Sequence, residues 1–343
     1  MATITIKDIA RICGVGVSTV SRALNNHPDI NQETRQKIMD VVEKYDYVPN
    51  NSARNLKLTE SKTIAVIEKG ISNPFFMTMI SAIDQDVQEK HHFMELRQVS
   101  EQVDEVEVAL ELIKEKKLKG IIFLGGLTNQ STEKLDKMDV PFVLSTVSPN
   151  ENLDGEYASI SVDDVRESYK IVDYLIKKGH KKIAFIGASE VDTGIGQRRL
   201  EGYIEALKDN GIELNKDLIW HTKLNADAFS MENGYNIMKE KLLENHDFTA
   251  IYAISDTIAM GVIRALHEAG KRVPEDVSVA GFDGIEMGKY NIPSITTIEQ
   301  PFVDMAHKTT KMLFDMILKD DKPQKVIMEA ALAERESVMP IKK

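Results

Sequence analysis

Apolar positions along the chain follow two different periods. Over the first sixty residues they recur at helical spacing: Ile9, Ile12 and Cys13, then Val20 and Leu24, then Ile38, Val41, Val42 and Tyr45. Gly14-Val15-Gly16 interrupts the first run, and Asn31 offers an N-cap to the third. From Thr63 onward, short apolar runs alternate with helical stretches. The runs read TIAVIE, FMELRQV, KGIIFLG, PFVLST, YASISV, KIAFIG, LIWH, AIYAIS, VSVAGF and SITTIE. Gly179, Gly211 and Gly270 close helical stretches between them. Such alternation predicts parallel sheets covered by helices on both faces. The strands are too many for one compact sheet, so two subdomains are expected, with a boundary near Ser161–Asp163.

The head carries finer signals. Thr5 followed three residues later by Asp8 is a capping-box variant, which starts a helix ahead of an apolar run. Two short helices across a glycine-containing turn make a helix-turn-helix, whose second helix can enter a DNA major groove. That helix exposes Val17, Ser18, Thr19, Ser21 and Arg22, short or polar side chains suited to base edges and phosphates. Pattern alone leaves a plain three-helix domain as an equal reading. Pro49 stops the third helix, and Asn50 to Lys57 form a segment of two turns that is marginal in water on its own.

Charge sharpens the division. Of 343 residues, 43 are Lys or Arg and 54 are Asp or Glu, a net charge of −11. Residues 1–60 sum to +1 and the remainder to −12, so a near-neutral head sits on an acidic body. This fits a head that approaches DNA while the body is held off, with modest, salt-sensitive non-specific affinity. The single cysteine, Cys13, falls on an apolar helix face and reads as a small core residue. The N-terminus has no apolar signal segment, and no apolar run approaches membrane-spanning length. A cytoplasmic protein with no membrane partner is expected.

The run GVGVSTVSRALN, with TIKDIA before it and YVPNNSARNLK after it, closely resembles the head of the LacI/GalR family of transcriptional regulators. The resemblance extends over essentially the whole chain. It implies a small all-α helix-turn-helix head at 1–48, a hinge helix and linker at 49–61, and an α/β sensor at 62–343. The sensor would resemble a type I periplasmic binding protein, with two doubly wound lobes around a cleft. Its first lobe would comprise about 62–161 and 292–323, its second about 162–291 and 324–343. SITTIE and the helix after Phe302 would cross back to the first lobe, and a last strand near 325–333 would return to the second. The implied DNA contacts are Thr5, Ile6, Gly16, Val17, Ser18, Thr19, Ser21, Arg22, Asn25, Asn31, Tyr47, Asn50, Ala53, Leu56 and Lys57. Leu56 falls where the family inserts a leucine wedge into the minor groove. Gly16 departs from the family's usual serine, which removes one hydroxyl able to reach phosphate. The tail after Arg335 has no leucine heptad, so a homodimer is expected rather than a tetramer.

Ligands of open α/β sheets sit beyond the carboxyl ends of the strands. Those loops supply Asn73, Phe75 and Phe76, which match the family's first pocket loop, then Ser145 and Thr146. Arg199, before Leu200-Glu201-Gly202, matches the family's effector-binding arginine, and Phe229 falls where a stacking aromatic is common. Asp256 and Asp283 end two later strands, and Phe302 follows IEQP. An arginine fork and carboxylates suit the hydroxyls of a sugar, while an aromatic face suits its C–H side. Each candidate has a plainer reading: core for Phe75, Phe76 and Phe302, and a helix cap for Asp256. Ser145 stands where many relatives hold an acidic residue.

Other motifs carry less. Gly194-Ile195-Gly196 lacks the rest of a phosphate loop. His91-His92 has no carboxylate at ligand spacing, His180 reads as a helix-end residue, and Trp220 as buried strand. No metal, cofactor or catalytic constellation is expected. The resulting expectation is a non-enzymatic regulator, most simply a repressor. It would bind palindromic double-stranded DNA as a homodimer and answer to a sugar-like effector. Control by a phosphoprotein co-regulator, or by another metabolite such as a purine, stays open.

Overall fold

A computed structural model describes residues 4–24, 27–45, 47, 62–70, 74–100, 103–126, 132–147, 157–190, 194–222, 228–244 and 246–341. The chain divides into two compact units between Ser61 and Lys62. Of the candidate residues, Asn25, Asn50, Ala53, Leu56, Lys57 and Asn73 lie outside the described residues, as does the hinge segment.

The head contains α1 (Ile6–Cys13), α2 (Val17–Leu24) and α3 (Gln32–Lys44). Thr5 and Asp8 form a reciprocal capping box: the Thr5 hydroxyl accepts from the Asp8 N–H at 3.4 Å, and the Asp8 carboxylate accepts from the Thr5 N–H at 3.1 Å. Gly14 ends α1 in the left-handed region at φ 68°, which a residue bearing a β-carbon adopts only at a cost. That reversal carries the chain into α2. Asn31 caps α3 by accepting from the Glu33 N–H at 2.8 Å.

The head core joins buried Ile9, Ala10, Cys13, Val20, Ala23 and Ile38, with Leu24, Val41, Val42 and Tyr47 packed around it. Two positions of the predicted stripes face outward instead: Ile12 is 43% exposed and Tyr45 44%. At about 100° per residue, Ile12 falls outside the arc shared by Ile9, Ala10 and Cys13. Ala10 and Ala23 take inward positions.

In the body, all ten predicted strands form. The first lobe is built on β1 (Thr63–Lys69), β2 (Phe93–Val99), β3 (Gly120–Leu124), β4 (Phe142–Ser145) and β5 (Ala158–Val162). Helices α4 (Pro74–Glu89), α5 (Glu105–Lys116) and α6 (Thr132–Leu135) connect them. In the second lobe come α7 (Asp164–Lys177), β6 (Ile183–Gly187), α8 (Ile195–Asp209), β7 (Ile219–His221), α9 (Met231–Leu243) and β8 (Ala250–Ala253). They are followed by α10 (Asp256–Glu268), β9 (Ser278–Asp283), α11 (Glu286–Tyr290) and β10 (Thr296–Glu299). The remaining elements are α12 (Phe302–Lys319), β11 (Lys325–Met328) and β12 (Ala331–Ala333). Among the described residues, the sheets run β11-β5-β4-β3-β1-β2 and β12-β10-β9-β8-β6-β7. Every neighbouring pair is parallel except β10–β12. No described helix is long and apolar enough to cross a membrane.

The expected crossings need correction. SITTIE does not return to the first lobe: β10 pairs with β9, Thr296 opposite Ala280, inside the second sheet. Only α12 crosses, packing on α4 and on β3, β4 and β5. The short β9–α11–β10 connection delivers β10 to the adjacent place in its own sheet, as consecutive strands usually do. The last apolar stretch splits. β11 pairs with β5 in the first sheet, and β12 pairs with β10 in the second. Passages between the lobes thus fall at Asp163, at Gln300-Pro301 and at Glu329-Ala330. His180 is also not a helix-end helper. Its ring is buried between the Thr249 hydroxyl at 3.0 Å and the Met339 carbonyl at 3.1 Å, tying the C-terminal segment to the second lobe. Trp220 is buried, as expected.

Candidate nucleic-acid interface and effector site

In the head, α2 presents Val17, Ser18 and Arg22 to solvent, with Thr19 and Ser21 half-buried beside them and exposed Gly16 at the turn. Val20 and Ala23 anchor the opposite face. Other candidates already hold structural duties. The Thr5 hydroxyl lies 2.6 Å from the Asp8 carboxylate, and Thr5 holds that carboxyl below its usual range. Asn31 spends its side-chain oxygen on the α3 cap, and half-buried Ile6 and Tyr47 pack on the core. The exposed polar patch is therefore contributed mainly by α2.

In the body, α8 carries Arg199 one turn in from Gly194, so it sits on a helix and not in the preceding loop. The arginine is 4% exposed. Its Nε donates to Asp164 at 2.8 Å; Nη1 donates to the Ile254 carbonyl and reaches Asp283 at 3.5 Å. The guanidinium lies 3.6 Å over the Phe282 ring. Burial opposes the charge, yet Asp164 and Asp283 outweigh it and keep Arg199 protonated. Burial pushes the Asp164 carboxyl up, with Arg199 opposing. A buried cation is tolerable only when paired and hydrogen-bonded in this way.

Asp283 ends β9 with φ 107°, an uncommon conformation for a residue with a β-carbon. Gly284 follows at φ 80°, pressed so closely on Glu299 that a side chain would overlap it. Asp256 holds this turn: its Oδ2 accepts from the Gly284 N–H at 2.9 Å and the Ile285 N–H at 2.8 Å. It does not cap α10, because Ser255 does so through the Ile258 N–H. Burial first, then the Asp283 carboxylate, raise Asp256 to about 8.

The remaining candidates scatter. Phe75 and Phe76 lie buried in the first turn of α4; Phe75 meets Phe76 edge-on at 5.3 Å and Phe302 at 5.8 Å. This favours the core reading for the trio. Ser145 is fully buried and shares a hydrogen bond with Thr309 of α12 at 2.9 Å. Thr146, at φ 72°, accepts from the Gly125 N–H at 3.1 Å. Phe229 is half-buried before α9, and its carbonyl accepts from Thr257.

The structure thus brings Arg199 and Asp283 together and adds groups that the motifs did not mark. Of the two adjacent aspartates that start α7, Asp163 takes the cap and Asp164 turns inward. Gln300 had only its place before Pro301 to signal it. At the mouth of the first lobe, Lys69 pairs with buried Glu105 at 2.6 Å. Among the described residues, no His/Cys/Asp/Glu group is arranged to hold a metal.

Comparison with known proteins agrees with both units. Residues 5–50 match the model of bacterial regulatory proteins of the lacI family, and residues 172–338 match a periplasmic binding protein-like domain. The HTH-type transcriptional regulator MalR of Clostridium butyricum is 40% identical over 340 residues, covering 98% of this chain and 99% of that protein. Catabolite control protein A of Streptococcus mutans is 30% identical over 336 residues, 97% of each. The solved transcriptional regulator CelR–cellobiose complex superposes with a TM-score of 0.71 at 26% identity, covering 97% of this chain and 99% of its own. The protein belongs to the LacI family and is a DNA-binding transcriptional regulator.

Proposed function

We propose that this regulator binds a palindromic operator as a homodimer and is switched by a neutral sugar held at the Arg199 site. The observation that carries the effector reading is the buried Arg199 clamped by Asp164 and Asp283 beyond strand carboxyl ends. Donors and acceptors held in place in this way can be presented to paired hydroxyls at little cost in ordering. The solved relatives with bound cellobiose and bound ribose support the ligand class. In the head, Val17, Ser18 and Arg22 are the proposed readers of a half-site, with Leu56 as the proposed wedge at the centre. The protein acts by binding, and no turnover is proposed.

The test is operator binding by fluorescence anisotropy, using palindromic sites from the protein's own genomic neighbourhood. It is run with and without a panel containing cellobiose, ribose, other neutral sugars and sugar phosphates. A shift of roughly tenfold with one neutral sugar, about 1.4 kcal/mol of coupling, is expected. Specific binding unmoved by every compound would remove the sugar switch and favour control by a protein partner.

A further inference from the structure

Gln300 falls within IEQP and is not among the candidate residues read from the sequence. It follows β10, the strand that remains in the second sheet, and precedes Pro301 and α12, the helix that packs on the first. It is 4% exposed. Its side-chain Nε2 donates to Asp283 Oδ1 at 2.9 Å, the same oxygen that Arg199 Nη1 approaches at 3.5 Å. Its main-chain N–H donates to the Asp283 carbonyl at 3.0 Å. One residue thus clasps Asp283 by both backbone and side chain, while Asp256 holds the next two N–H groups from the other side.

On its far side, the Gln300 carbonyl accepts from the Phe302 N–H at 2.9 Å, and the Pro301 carbonyl accepts from the Met305 N–H at 2.8 Å. Phe302 meets Phe75 of α4 edge-on. A connected run therefore leads from Arg199 and Asp283 in the second lobe, through Gln300, to the start of α12 and the aromatic cluster of the first. Asp283 is held in an uncommon backbone conformation, so a change in the pull on its carboxylate has a mechanical outlet. Rotation toward an ordinary φ would drag both Gln300 contacts with it.

We infer that Gln300 is the positioning residue through which the Arg199 site is coupled to the interlobe passage. The inference rests on the effector reading for its biological purpose, but the coupling itself can be measured without any ligand. Lying between two elements is not evidence of coupling; a double-mutant cycle is.

The experiment follows amide hydrogen exchange in the intact protein for four forms: the unaltered chain, Arg199→Lys, Gln300→Leu and the double substitution. Arg199→Lys is expected to speed exchange of the Phe302 and Met305 amides by about tenfold. In the Gln300→Leu background those amides are already fast, and Arg199→Lys adds less than about twofold. Equal acceleration in both backgrounds, or none in either, overturns the inference. If Arg199→Lys unfolds the body, Asp283→Asn replaces it, since it loses the ion pair while keeping an acceptor for Gln300. A second arm applies to any sugar that shifts operator binding. For Gln300→Leu, sugar occupancy is fixed by calorimetry, and at saturating sugar most of the shift should be lost. Loss of sugar binding itself would make Gln300 a ligand contact instead. Absence of any sugar response would count against the effector reading alone, and the exchange cycle would still decide the role of Gln300.

Discussion

The head and the body hold their candidate residues in opposite ways. On α2, Ser18 and Arg22 stand in solvent on a helix whose other face is fastened by Val20 and Ala23. In the body, Arg199, Asp164, Asp256 and Asp283 are all at least nine-tenths buried and already bonded to one another or to backbone. The difference fits what each is proposed to meet. A duplex is a large, charged surface, read by side chains that reach outward from a rigid support. The proposed effector, a small polyol, offers few atoms, so its site would have its charges arranged beforehand, and burial makes each arrangement depend on every member.

The sharpest way to break this contrast is to remove the central cation. Arg199→Ala leaves buried Asp164 and Asp283 without their cation and should destabilise the body by about 3–5 kcal/mol. Thermal unfolding of the full chain should show the body's transition falling by several degrees while the head's is unmoved. Equal losses in both units would mean they do not fold separately.

An outward-facing residue should behave conversely. Arg22→Ala should weaken specific operator binding by about 1–3 kcal/mol in anisotropy titrations, with no change in the unfolding of either unit. A loss of head stability would instead assign Arg22 a packing role.

Asp256 tests burial through pH. Its carboxyl titrates near 8 in the folded body against 3.8 as a free side chain. Between those values the folded state keeps a proton that the unfolded chain releases, so stability declines as pH rises. The contribution is fully present below about pH 4 and is lost through pH 8. The slope from this group is at most roughly 1.4 kcal/mol per pH unit. Asp256→Asn keeps an acceptor for Gly284 and Ile285 and should flatten that decline in denaturant midpoints measured from pH 5 to 9. An unchanged slope would assign the proton elsewhere.

The smallest effect concerns the head's own framework. Thr5→Ala removes half of the capping box and should cost the head about 0.5–2 kcal/mol, read from its unfolding transition, while leaving the body untouched. Exposed Ile12→Ala should cost less than about 0.5 kcal/mol.

Local patterns were legible because their causes are local. The Thr5–Asp8 capping box, the Gly14 reversal, the Asn31 cap and all ten strands depend on neighbours within a few residues, and they stand where the sequence places them. The body's alternation likewise required helices against parallel sheets, and the motif TIKDIA–GVGVSTVSRALN was enough to mark the family. The Ser161–Asp163 passage between the lobes was legible because a strand ends there and a capped helix begins. The family resemblance singles out Arg199 and a strand end marks Asp283, and the fold brings the two side chains within 3.5 Å.

What the sequence alone could not determine was partnership across distance. Asp256 and Ser255 are equally plausible caps until the β9–α11 turn arrives to claim the aspartate. Asp163 and Asp164 are indistinguishable until α8 places Arg199 against one of them. Ser145 meets Thr309 only because α12 crosses to the first sheet. SITTIE could join either sheet, because a β-strand encodes its need for a partner but not which partner, and β9 settles the matter by proximity. Gln300 gains its role only from Asp283, seventeen residues upstream. Periodicity and caps are written in the chain; the identity of long-range neighbours is decided only when the lobes assemble, because it depends on topology and on which buried charges must be neutralised.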